Sequence, residues 1–166
     1  MLTRKSLLVT CYCFDSHQGA AVLGVLLRRG VKILLMLDGN QLRSSSCANQ
    51  AQNVLSLMQS AKDQGGSLEI KGYTPTGSFC SCLHVKSWCL DETLYIGGSY
   101  NWTMNAEKNN QEHLITAKDS GSCDHYLRWF NSLWTDARAF YVKRELLAGA
   151  VLRAKERSRS RASKRA

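Results

Sequence analysis

A chain of 166 residues, 44% hydrophobic and 21% charged, suits one ordinary domain; it excludes disorder throughout and leaves two full domains cramped. The longest apolar stretches, Ala20 to Leu27 and Val31 to Leu37, are broken by Arg28, Arg29 and Lys32. They fall well short of the roughly 20 residues a bilayer requires, so no membrane span is expected. The net charge of +9 is uneven, because seven bases and one acid (Glu156) lie from Arg153 onward, giving +6 there and +3 over residues 1–152.

Residues Ser6 to Cys13 are apolar and predict a buried strand. The basic opening before them has too short an apolar run for a signal peptide. Asp15 or Ser16 can cap a helix in which Ala21, Val22, Val25 and Leu26 recur at helical spacing, and Arg28-Arg29-Gly30 supplies its stop. Val31 to Leu37 predicts a central strand, completing a parallel βαβ unit. A polar loop is expected after Asp38-Gly39-Asn40, then a helix from about Ala48 to Lys62 and a short strand at Leu68–Lys71. Gly72 to Ser81 reads as a loop with the only proline, Pro75. Strands Leu83–Leu90 and Thr93–Gly97 follow, joined by a tight turn at Asp91-Glu92, then a strand at Glu112–Thr116. Tyr126, Phe130, Leu133 and Trp134 mark an amphipathic helix with a core-facing aromatic stripe, whose pattern is expected to run on through Glu145 to Leu152. The organisation expected is therefore a folded unit over residues 1–152 and a disordered Arg/Ser tail over residues 153–166. Such a tail attracts nucleic acid or anionic lipid headgroups, or serves only as a solvated segment.

Seven cysteines, an odd number, with no secretory signal point to free thiols in a reducing, intracellular compartment. Cys80-Ser-Cys82-Leu-His84 hints at metal ligation, but no second ligand pair stands at zinc-site spacing, so buried or partly buried thiols are the expectation.

The chemistry is concentrated between His84 and Asn101. On a strand, His84 and Lys86 point to one face. A neutral imidazole beside an ammonium is a poor structural pair, yet together they suit an anionic substrate: the lysine neutralises it, and the histidine attacks it or moves a proton. Gly98 permits close backbone approach, and Ser99 and Asn101 add small donors. These are the elements of a phosphate site; His84 alone would read as an incidental surface histidine.

The spacing His84-x-Lys86, Asp91, Gly98-Ser99-x-Asn101 matches HxK(x)4D(x)6GSxN at every position, and the chain thereby resembles the phospholipase D superfamily. The continuation Asn101-Trp-Thr103, Ala106, Asn109-Asn110-x-Glu112 and Leu114-Ile-Thr116 is similar to its single-motif branch, which holds mitochondrial cardiolipin hydrolase and the Zucchini endonuclease. The resemblance covers roughly residues 6–137. It implies an α/β fold, a mixed central β-sheet with helices on both faces. Members of the family usually carry a strand and a helix ahead of the Ser6–Cys13 segment, which this chain starts too late to hold. The mitochondrial branch adds an N-terminal anchor and often a zinc module, neither expected here, and the Gly72–Ser81 loop looks longer than the family's.

By the same resemblance, His84 is the nucleophile that forms a phosphohistidine, and Lys86, Ser99 and Asn101 hold the phosphate oxygens. Asp91 and Glu112 supply supporting electrostatics, the Glu112 carboxylate bonding the histidine ring. No metal or cofactor is required, since Lys86 and dipoles carry the charge. The reaction needs a second histidine with a lysine partner, and His17, His113 and His125 have none two residues on. A homodimer sharing one active site supplies it. The motif leaves the substrate open between a phospholipid such as cardiolipin, the first choice with a mitochondrial setting, and single-stranded nucleic acid; an inactive polyanion-binding dimer is the third reading.

Overall fold

The computed structural model describes residues 3–77 and 81–163. Cys80 of the cysteine–histidine cluster, two residues of the long loop, and Lys164 and Arg165 of the tail lie outside them.

The apolar run Ser6–Cys11 forms β1, and Lys32–Asp38 forms β2 beside it in parallel, with Val9 opposite Leu35. Between them α1 (His17–Arg28) opens where the Ser16 hydroxyl accepts the Gly19 N–H at 3.1 Å. It ends at Arg28, and Gly30 just beyond has a φ of 78°, a left-handed conformation that favours glycine. The chain then forms α3 (Ala48–Gln64) and β3 (Leu68–Tyr73), again parallel to β2. The expected βαβ arrangement is thus present twice over.

On the other side of β1, β4 (Lys86–Leu90), β5 (Leu94–Gly98) and β6 (Leu114–Ala117) add antiparallel, and β7 (Ala139–Tyr141) adds antiparallel to β3. The seven strands lie in the order β6-β5-β4-β1-β2-β3-β7. Alternation along the strands divides the core. Leu7, Val9, Ile33 and Leu35 pack against α1, α3 and α6 (Arg144–Ser163), while Leu8, Met36 and Cys89 pack against Tyr126 and Phe130 of α5 (Ser120–Trp134). This is the mixed sheet with helices on both faces.

Several local expectations are corrected. The polar loop after Asp38 holds a short helix, α2 (Gly39–Arg43), and a 3-10 turn at Ser45–Cys47. The Asp38 carboxylate starts α2 by accepting the Asn40 and Gln41 N–H groups at 3.0 and 2.9 Å. The strand expected from Leu83 begins only at Lys86, because the Leu83 N–H is taken by Asp38 at 2.8 Å. The helical pattern after Trp134 is interrupted by β7, which pairs with β3, so α6 is a separate helix. The tail expected to be disordered is helical from Arg153 to Ser163, continuous with α6. Leu147 and Ala150, both fully buried, anchor the start of α6. Once a helix is nucleated, Arg, Lys and Ala extend it at little cost.

Candidate active site

One edge of the sheet gathers nearly all the candidate residues. There the parallel strands β1 and β2 end, β4 begins, β5 ends and β6 begins. The carboxyl ends of parallel strands are where α/β sheets present ligand sites. Lys86 pairs with Cys11 in the ladder, and the Tyr12 N–H donates to the Val85 carbonyl at 3.0 Å, so the segment carrying His84 is stitched to the end of β1.

Lys86 is buried, only 4% exposed, with its ammonium donating to the His84 carbonyl at 3.0 Å and lying 5.2 Å from the centre of the Tyr12 ring. Burial pulls its pKa below the ordinary lysine value, opposed by the Cys11, Cys82 and Glu112 side chains. His84 is exposed and sits off the strand, its ring 4.7 Å from that of Tyr12 in an edge-on arrangement. Partial desolvation and then the Lys86 charge lower the imidazole pKa, against a smaller pull from Asp38. The ring is thereby biased toward the neutral, nucleophilic form. Strand alternation does not set the His84 orientation; the Asp38–Leu83 hydrogen bond and Tyr12 do.

Across the edge, the Ser99 hydroxyl donates to the Glu112 carboxylate, which also accepts from the Asn110 amide at 2.9 Å. Those two donors, Ser99 first, lower the Glu112 pKa. Gly98 is required here: a Cβ would stand 2.1 Å from the His113 backbone oxygen. Among the described residues, Glu112 bonds Ser99 and Asn110 and not the His84 ring, which corrects the expectation within one chain. Its carboxylate is held at the β5–β6 connection, while His84 stands before β4. The Asn101 side-chain oxygen is buried with no hydrogen-bond partner among the described residues. Rotating the amide exchanges oxygen and nitrogen, so this position can present a donor to an incoming anion.

Asp91 is elsewhere. It lies at the far end of β4, roughly 16 Å along the strand from Lys86 at about 3.3 Å per residue. Its carboxylate accepts the N–H groups of Arg4, Lys5 and Ser6 and the Thr3 hydroxyl, at 2.8–2.9 Å for the shortest distance to each. Burial acts to raise its pKa, but the N–H groups of Ser6, Lys5 and Arg4 and the Thr3 hydroxyl together bring it down to about 2. The motif aspartate thus clamps the N-terminal segment to the β4–β5 turn rather than supporting the edge where His84 stands.

Three residues of this edge carried no motif. Asp38 is fully buried and bonds both α2 and Leu83; Tyr12 touches His84 and Lys86; and Gln41 donates to the Tyr12 hydroxyl at 2.9 Å. The one sequence signal was Asp38-Gly39 at a strand end, an acid placed to cap whatever follows. Among the described residues, no group of three His, Cys, Asp or Glu side chains could hold a metal ion.

The family described as cardiolipin synthase, PLD-like domain, matches residues 1–134. The mouse mitochondrial cardiolipin hydrolase is 26% identical over 136 residues, covering 82% of this chain and 55% of that protein. A phospholipase D of Rickettsia prowazekii is 31% identical over 104 residues, covering 62% of this chain and 43% of that protein. The chain thus spans about half the length of the curated relatives it matches. Among solved structures, Nuc, a phospholipase D family member from Salmonella typhimurium, superposes with a TM-score of 0.68 at 16% identity, covering 86% of this chain and 84% of that one.

Proposed function

The chain belongs to the cardiolipin synthase PLD-like domain family, and from that premise we propose that it is a phosphodiesterase that works through a phosphohistidine. One observation carries the reading: an exposed imidazole, biased toward neutrality, shares the Tyr12 ring with a buried lysine ammonium that donates to that histidine's own carbonyl. The ammonium uses one of its three N–H donors on that carbonyl, and the others can meet a phosphate oxygen. His84 attacks phosphorus, the P–O bond to the leaving group breaks, and negative charge builds on the non-bridging oxygens beside Lys86, Asn101 and Ser99. A protonated histidine gives its proton to the leaving oxygen. Neutral again, it takes a proton from water, whose oxygen attacks the phosphohistidine and frees His84.

That second histidine comes from another copy of the chain in a homodimer sharing one site. The edge strand β6 supports this, with Leu114 48% and Ile115 60% exposed next to Glu112. The phospholipid reading, with cardiolipin as its example and a mitochondrial setting, rests on the named relatives. No helix among the described residues is long and apolar enough to cross a membrane. Single-stranded nucleic acid is the second reading, favoured by the basic length of α6.

The test offers purified protein both labelled single-stranded RNA or DNA and cardiolipin vesicles, with chelator present. Cleavage of either that disappears in His84→Ala supports the reading. Failure to cleave both overturns it and leaves the polyanion-binding dimer.

A further inference from the structure

The last turns of α6 place Ala154, Arg157, Ser158 and Arg161 on one helix face, at i, i+3, i+4 and i+7. With Ser45 and Ser46 of the 3-10 turn, that face lines a cleft of about 160 Å³. Two guanidinium groups four residues apart repel one another, and among the described residues neither forms a salt bridge with a carboxylate. The nearby acid, Glu156, does not line the cleft. The helix is fixed against the body where Arg153 donates to the Arg43 carbonyl at 3.0 Å. Planar guanidinium groups flanked by hydroxyls on a second element are suited to a phosphate, which they meet with paired hydrogen bonds.

A relay of contacts joins the cleft to the catalytic edge. The Ser46 hydroxyl lies 3.9 Å from the Cys47 sulfur, Cys47 donates to Gln41 at 2.7 Å, Gln41 donates to the Tyr12 hydroxyl at 2.9 Å, and the Tyr12 ring faces His84 at 4.7 Å. A polyanion reacting at His84 can therefore lay another of its phosphates among Arg157, Arg161 and the serines. A nucleic-acid strand carries a phosphate at every nucleotide and is built for such a track. We propose that the Ser45–Ser46–Arg157–Arg161 cleft is a binding subsite for a non-scissile phosphate of single-stranded nucleic acid. This rests on the nucleic-acid reading of the site and sharpens it, since α6 lies beyond the part of the chain that the family matches.

The test compares two double variants that remove the same charge from different faces of α6: Arg157→Ala/Arg161→Ala in the cleft and Lys155→Ala/Arg159→Ala outside it. Binding of a labelled single-stranded oligonucleotide is read by fluorescence anisotropy in a His84→Ala background, so that the strand is not cut. The cleft variant should bind about tenfold more weakly at low salt, as two partly exposed ion pairs warrant. Its dependence of log K on log salt should flatten by about 0.7, the amount expected for the one phosphate no longer neutralised. The outer variant should stay within about twofold, a margin smaller than one ion pair's upper range. Equal losses in both would show diffuse charge and overturn the subsite, as would a loss confined to cardiolipin vesicle binding. Hydrolysis of bis(p-nitrophenyl) phosphate, with His84 intact, reads the catalytic edge separately. Its absence in every form would sink the catalytic reading while anisotropy still decides the cleft.

Discussion

Replacing Asp91 with Asn separates the role of the motif aspartate from that of the histidine and lysine. The carboxylate accepts from three backbone N–H groups and one hydroxyl, and the amide keeps one oxygen and brings two donors toward them. A carboxyl held at about 2 against an ordinary 3.8 corresponds to about 2.5 kcal/mol at 1.36 kcal/mol per pH unit. Asp91 is partly exposed, and screening reduces this to about 1–2 kcal/mol. In a chain of this size that lowers Tm by about 2–8 °C. The sign follows from the depressed folded-state value: the contribution is full above the ordinary carboxylate range and is lost as pH falls from about 4 through about 2. Urea denaturation at pH 7 should therefore show the whole gap between wild type and Asp91→Asn, and the gap should close toward pH 2. Turnover by the folded variant should stay within about twofold, since a group roughly 16 Å from Lys86 touches no reacting atom. A large loss of kcat with unchanged stability would refute the clamp and return Asp91 to the chemistry.

Gly98→Ala should cost about 1–3 kcal/mol and most activity, because its Cβ would press on the His113 backbone oxygen and part Ser99 from Glu112; a denaturation midpoint equal to wild type would contradict this. The pH profile of kcat/KM should be bell-shaped and centred below 6.5, since one lowered-pKa His84 must be neutral while its copy is protonated; a rate still climbing above pH 7 would remove the histidine acid. Hydrolysis should persist in EDTA, because Lys86 and amide donors supply the charge stabilisation, and a strict Mg²⁺ or Zn²⁺ requirement would argue otherwise. Mixing wild-type chains with excess His84→Ala chains should suppress activity beyond dilution, each mixed dimer lacking one histidine; a fall merely proportional to wild-type content would point to a self-sufficient monomer.

Apart from the two-faced sheet and Glu112, which came from the family resemblance, the amino-acid sequence by itself determined the parallel βαβ frame and singled out His84, Lys86, Ser99 and Asn101. Those features are written in local signals: apolar runs, helical spacing, a capping serine, a fixed motif spacing. It did not show that Asp38 holds the Leu83 backbone, that Tyr12 and Gln41 underlie the histidine, or that Asp91 faces the opposite end of β4. Nor did it show that Ser45 and Ser46 meet the arginines of α6. Such contacts join residues dozens of positions apart, and no periodicity records them. Composition took Arg153–Ser163 for a disordered tail because it weighs apolar content, whereas a helix already anchored at Leu147 and Ala150 extends through polar residues that could not nucleate one. Only the packed tertiary structure decides which side chains lie across from a given strand end, because hydrogen bonds there depend on the register and spacing of whole elements rather than on neighbours in the chain.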